Sequence, residues 1–369
     1  MARILYALSG QGRGHTSRGL AVAHGLRARG HEVTFCGGGT ARAVLESLGE
    51  PVLPAPTLRQ VMWRNRLLLL TTGFRNAAAV FGSPLIVRRL ATDIERLAPD
   101  LVVSDFDRYA HRAASRLGIP VVSLDHQQVV TEAVTEAPEG SPFNTFSAFV
   151  ASRAVQSIVA PDPARRLITT FFRPPLRDPS RATYLAPILR PEVRALTPTD
   201  GEHVLVYVNG STGAAGLART LAKVDARFVV YGVGVVDGPP NVTFRPPSGD
   251  AFLADLGSCR ALVCTAGFTL LSEALHLGKP ILAVPNRGIY EQGLNAAYLE
   301  RMGRGRAVYR TLRATHIADF LAEAGALSGQ LGGADGLGDA LGAIERVLSP
   351  PVPTTSGARP PRSVPDTSS

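Results

Sequence analysis

Near the start of the chain, Gly10-Gln11-Gly12-Arg13-Gly14-His15 puts an imidazole at the mouth of a glycine turn. Glycines let backbone approach a ligand closely, and the free N–H groups where such a turn feeds a helix favour anions. The cluster is not a dinucleotide fingerprint, because G-x-G-x-x-G needs a glycine where His15 stands. Asp105 closes the apolar run Leu101-Val102-Val103-Ser104. Alone, an aspartate there caps the following helix. Paired with His15, it would fix the imidazole tautomer and stabilise the imidazolium formed when His15 takes a proton from a hydroxyl. Asp107 and Asp125 are neighbours suited to the same part.

The second half holds a denser pattern: Thr265-Ala266-Gly267-Phe268-Thr269, then Ser272-Glu273-Ala274-Leu275-His276-Leu277-Gly278-Lys279-Pro280, then Glu291-Gln292. The apolar run 261–264 gives way there to a glycine turn and a helix start, a second anion-binding geometry. Glu273 faces the same mouth and suits a ribose diol, and Glu291 and Gln292 suit sugar hydroxyls. Asn209-Gly210-Ser211-Thr212-Gly213 adds another glycine loop. No D-x-D-like carboxylate pair stands on that side, so no metal is expected.

To bring these groups together, short apolar runs must alternate with helices. Residues 3–8, 31–36, 100–104 and 119–124 read as strands, with helical spacing between them. The pattern weakens over 132–173, meets a proline-rich stretch, and resumes at 203–209, 228–231, 242–245, 261–264, 280–284 and 306–309. That alternation predicts an α/β protein with two Rossmann-like parallel-sheet domains facing a central cleft. The expected divisions are a first domain at 1–187, a linker at 188–201, a second domain at 202–348 and a disordered tail at 349–369.

Composition narrows the class. With 369 residues, 45% of them apolar, the chain is neither disordered nor fibrous. Three cysteines exclude a disulfide scaffold, and no apolar run approaches the ~20 residues of a membrane span. The first apolar run also breaks at Ser9-Gly10, too early for a secretory leader, so a cytoplasmic protein is expected. The net charge is +9, and residues 1–173 hold 20 arginines against 13 acids. Between Glu50 and Asp93 no acid occurs, and Arg59, Arg64, Arg66, Arg75, Arg88 and Arg89 interleave with Trp63, Leu67 to Leu70, Phe74 and Phe81. Such a segment suits docking on the inner face of a membrane, or is merely a solvated face. Nucleic acid is not an expected partner, since no recognition module accompanies the charge.

At these residues the sequence resembles a GT-B-fold glycosyltransferase. The likeness is to the family 1 nucleotide-sugar transferases and their bacterial relatives, including the lipid-linked GlcNAc transferase of peptidoglycan synthesis. It runs from Ala2 to about residue 348 and is firmest over 244–302. The resemblance implies that Glu273 holds the ribose hydroxyls and that Glu291 and Gln292 grip the donor sugar. It implies further that Thr265, Gly267, Phe268 and Thr269, with Gly210 and Ser211, approach the diphosphate, and that Phe244 stacks on uracil. His15 is then the base, Asp105 its partner, and Gly12, Arg13 and Gly14 the acceptor-side loop. Plant-type members carry histidine at Thr265 and tryptophan at Phe268. The implied activity is inverting, metal- and cofactor-independent transfer from a nucleotide-diphosphate sugar, with UDP expected, to a hydroxyl of a lipid or small molecule. A non-hydrolysing epimerase of the same architecture, a dinucleotide oxidoreductase and a non-catalytic nucleotide-sugar-binding protein are the rival readings.

Overall fold

A parallel sheet covered on both faces needs runs that are apolar throughout, and Leu101–Asp105 is buried at every position. The computed structural model describes residues 1–63, 66–136, 141, 143–208, 213–246, 248–327 and 335–349. Gly210 and Ser211, Arg64, the Trp63 side chain and the tail beyond Ser349 lie outside the described residues.

The first half runs β1 (Arg3–Leu8), α1 (Arg13–Ala28), β2 (Glu32–Gly37), α2 (Gly39–Ser47) and β3 (Val52–Pro54). A small hairpin, β4 (Met62–Trp63) and β5 (Arg66–Leu67), leads to α3 (Leu69–Phe81) and α4 (Ser83–Leu97). Then come β6 (Leu101–Asp105), α5 (Ala110–Arg116), β7 (Val121–Asp125), α6 (Val129–Glu132), α7 (Thr145–Gln156), β8 (Arg165–Thr169) and β9 (Thr183–Leu185). Seven of these strands form one parallel sheet in the order β3-β2-β1-β6-β7-β8-β9.

After α8 (Pro191–Arg194) the second half runs β10 (His203–Tyr207), α9 (Ala214–Leu221), β11 (Arg227–Tyr231), β12 (Val242–Phe244) and α10 (Gly249–Ser258). It continues through β13 (Ala261–Cys264), α11 (Phe268–His276), β14 (Ile281–Ala283), α12 (Tyr290–Arg301), β15 (Gly305–Ala307), α13 (Ala314–Leu327) and α14 (Leu337–Leu348). Its six strands are parallel in the order β12-β11-β10-β13-β14-β15. Strand order therefore reverses between β1 and β6 in one sheet and between β10 and β13 in the other. Crevices at such reversals, outside the carboxyl ends of the strands, are where open α/β sheets bind ligands.

Two elements escape the periodicity. β8 opens with Arg165-Arg166 and so reads as polar, yet Arg166 is buried and its Nη1 lies 3.1 Å from Glu132 Oε2. β9 is three residues long among prolines. Packing also crosses the chain-order boundary. Ala340, Leu341, Ala343 and Ile344 of α14, placed by sequence with the second half, sit in the core of the first sheet beside Ala21, Val22 and Leu26. A Cβ on Gly25 would meet Leu341 Cδ1 at 2.7 Å, so that glycine makes the seat for the last helix. On one side of the cleft the two halves share an apolar cluster: Phe171 and Phe172 face Phe268 and Tyr298 in parallel stacks.

Candidate active site

Leu8 and Asp105, the last residues of β1 and β6, are register partners at the strand reversal. From Leu8 the chain enters the glycine turn, with Ser9 N–H donating to the Asp105 carbonyl at 3.0 Å. Gly12 (φ 84°) stands before α1 with no side-chain cap, so the N–H groups of the first turn lack a capping side chain, and Gly12 to His15 line the cleft. His15, one turn in, places Nδ1 2.7 Å from Asp105 Oδ1. The next residue, Phe106, has φ 54°, a conformation bulky residues rarely take, and its ring lies parallel to the imidazole with centroids 6.0 Å apart.

Asp105 is fully buried. Burial works against its charge, yet Arg18 and His15 outweigh it and hold the carboxyl below its ordinary value. Arg18 Nε and the Tyr6 hydroxyl each donate to Oδ2 at 2.9 Å. The two alternatives to Asp105 are otherwise engaged. Asp107 Oδ2 accepts the backbone N–H groups of Tyr109 and Ala110 and so caps α5. Asp125 accepts from the Gln128 N–H and side-chain amide, and burial, with Asp105 nearby, pushes its carboxyl up to about 7.

Across the cleft, α11 begins at Gly267, also without a side-chain cap. A Cβ on Gly14 would meet Thr269 Oγ1 at 2.4 Å, so the absence of a side chain there lets the two helix N-termini approach. A cavity of about 740 Å³ lies between them, lined by Arg13, His15, Thr265, Gly267, Phe268, Thr269, Glu273, Glu291 and Gln292 among others. Glu273 is 2% exposed, and Arg190 holds both of its oxygens, at 2.7 and 2.8 Å. Burial alone would ease discharge of Arg190, and Glu273 outweighs it. Gln292 Oε1 accepts the Asn286 N–H at 2.9 Å.

Phe244 is not brought to this cavity. Alternation along β12 turns it into the second-half core, where its ring packs over Gly238. Tyr207, Tyr231 and Phe252 line the cavity instead, as edge-to-face pairs with centroids 5.2 and 5.5 Å apart. Tyr207 and Tyr231, at strand ends, read as core, and Phe252 reads as the apolar face of a helix.

His126 was missed too. Fully buried, it stacks on Phe268 at 4.0 Å, donates from Nδ1 to the Thr169 carbonyl and meets Asn295 Oδ1 at 2.8 Å. Asn295 in turn donates to the Ala266 carbonyl, and Glu291 Oε1 lies 3.9 Å from His126 Nε2. Burial pulls the His126 pKa down. Arg18, three residues after His15 on the same helical face, carried a signal that spacing alone offers. Among the described residues no three His, Cys, Asp or Glu side chains cluster as a cation site.

A family model described as Glycosyl transferase family 1 matches residues 2–324. An uncharacterized glycosyltransferase of Methanosarcina mazei is 25% identical over 332 residues, covering 82% of this chain and 85% of that protein. The UDP-N-acetylglucosamine--N-acetylmuramyl-(pentapeptide) pyrophosphoryl-undecaprenol N-acetylglucosamine transferase of Clavibacter sepedonicus is 28% identical over 332 residues, covering 82% and 83% of the two chains. The crystal structure of CalG4, the calicheamicin glycosyltransferase, superposes with a TM-score of 0.63 at 18% identity, over 94% of this chain and 98% of that one.

Proposed function

The chain belongs to glycosyl transferase family 1 and has the GT-B fold, and on that footing we propose an inverting, metal-independent transfer from a UDP-sugar to a hydroxyl of an amphiphilic acceptor. The observation that carries this reading is the His15–Asp105 contact of 2.7 Å on the cavity wall opposite the uncapped N-terminus of α11. Asp105 accepts a hydrogen bond from the Nδ1–H and leaves Nε2 free to act as base. As the acceptor oxygen bonds to the anomeric carbon, its proton passes to Nε2. The bond from that carbon to the diphosphate breaks on the opposite face, and the electron pair leaves with the diphosphate. The free N–H groups of α11 and α1 receive the developing charge, a role that metal ions take in other transferases. The UDP moiety named for the Clavibacter relative supports the choice of nucleotide.

The acceptor is expected to be amphiphilic because α3, beside the cavity, presents an apolar face to solvent. Leu70, Phe74 and Phe81 are 87, 88 and 84% exposed, and Arg66, Arg75, Arg88 and Arg89, in the same stretch of chain, are exposed too. That combination suits reversible docking on an anionic membrane face. No described helix is long and apolar enough to cross a membrane.

A panel of labelled nucleotide sugars incubated without acceptor tests the reading. Slow release of UDP from one donor is expected. Epimerised sugar, or binding with no turnover of any donor even when lipid and small-molecule acceptors are added, would refute it.

A further inference from the structure

Asp105 does not serve His15 alone. Its Oδ1 faces both His15 Nδ1 and Arg18 Nη2, and its Oδ2 takes Arg18 Nε and the Tyr6 hydroxyl. Arg18 follows His15 by three positions in α1, is 4% exposed, and brings Nη2 within 3.1 Å of His15 Nδ1. The bidentate fork onto a buried carboxylate is the strongest geometry available to that pair.

A carboxylate and a neutral imidazole on their own carry one negative charge, which draws a proton onto the ring. With the guanidinium in place the resting group is electrically balanced, and an imidazolium would leave it positive. We infer that Arg18 is a positioning residue that balances the charge of Asp105, so that Asp105 orients the His15 ring without loading it with a proton. This rests on His15 being the base.

Other charged groups near the cluster come from each neighbouring strand. Tyr6 on β1 is uncharged, its hydroxyl pushed up by burial and by Asp105. Asp125 at the end of β7 lies close enough to act on Arg18 and is held largely protonated below about 7. His126 beside it has its pKa pulled down by burial. Asp107 is engaged in capping α5, and Arg13 is exposed on the cavity side. Arg18 is therefore the one buried cation against Asp105 among the described residues.

The test is the pH dependence of kcat/KM in Arg18→Met and Arg18→Lys, with UDP binding and thermal unfolding followed in parallel. Arg18→Met should move the acid limb to higher pH by roughly one unit or more. Arg18→Lys keeps the charge but loses the fork, so its limb should stay in place while kcat falls roughly tenfold or more and the donor KM is unchanged. A folded Arg18→Met with an unmoved limb overturns the inference. If Arg18→Met does not fold, an acid limb that moves up in Arg18→Lys, where the charge is kept, overturns it equally. His15→Ala separates the two levels. Transfer that survives in His15→Ala overturns the base and this inference together. Loss there, with an unmoved limb in Arg18→Met, overturns this inference alone.

Discussion

Arg190, from the stretch joining the two sheets, grips both carboxylate oxygens of Glu273, Nε to Oε1 at 2.7 Å and Nη2 to Oε2 at 2.8 Å. A carboxylate has about four lone-pair sites, so two remain for a ribose diol without breaking this pair. Glu273→Ala should therefore weaken binding of plain UDP, by about tenfold or more for hydrogen bonds to a charged group. Calorimetry with UDP reads this directly, and an unchanged Kd would remove Glu273 from the nucleotide site.

His15→Ala should slow transfer by ~100-fold or more, the usual scale for a general base, with UDP binding retained. Asp105→Asn should fall in the same direction but less far, as the proposed role of Asp105, to orient rather than react, requires. Steady-state kinetics beside calorimetry decide the matter. Normal turnover in His15→Ala would make the histidine structural.

Gln292→Ala should spare UDP and weaken the intact nucleotide sugar, if Gln292, on α12, meets the sugar in the proposed site rather than the nucleotide. EDTA should leave turnover unchanged. Strict dependence on magnesium or manganese would be incompatible with charge stabilisation by helix N-termini alone.

Acidity should act on stability through Asp125. Its carboxyl is moved up from 3.8 to about 7 by burial, so the native state holds a proton that the unfolded chain releases. The stability this contributes is full below about pH 4 and is lost as pH rises through 7. Asp125→Asn should then raise Tm more at pH 8 than at pH 5. The replacement amide has a ready acceptor, because Gln128 Oε1 is buried without a partner and a flip of that amide presents it. Equal Tm changes at the two pH values would contradict the raised carboxyl.

Vesicles containing anionic lipid should carry the protein down on sedimentation at low salt and release it at high salt. Phe74→Ser with Phe81→Ser should abolish the effect without altering turnover of a water-soluble acceptor analogue. Equal recovery in the supernatant with and without vesicles would point to a small soluble acceptor and a solvated arginine face.

Much of the site was legible because its chemistry is local in sequence. The glycine turn before His15, the strand end at Asp105 and the turn into Glu273 each announce themselves within about ten residues. What escaped depends on distant partners: Arg190 is 83 positions from Glu273, and His126 is 169 from Asn295. Phe244 shows the converse. The resemblance makes it a stacking aromatic, but alternation along a three-residue strand sends its ring inward. Arg166, a charge in a buried strand, hid β8 because only its partner Glu132 makes that burial tolerable.

The last helix has a consequence for how this protein is made. Gly336 N–H donates to the Pro187 carbonyl, Asp335 binds Arg194 and the Leu189 N–H, and Glu345 reaches Arg29, so the chain returns to where it began. On the ribosome, the first sheet emerges with the groove over Gly25 bare, and it stays bare until residues 337–348 have been synthesised. The half made first is thus the half finished last, and a nascent chain stalled anywhere in the second sheet presents that apolar groove to chaperones and proteases.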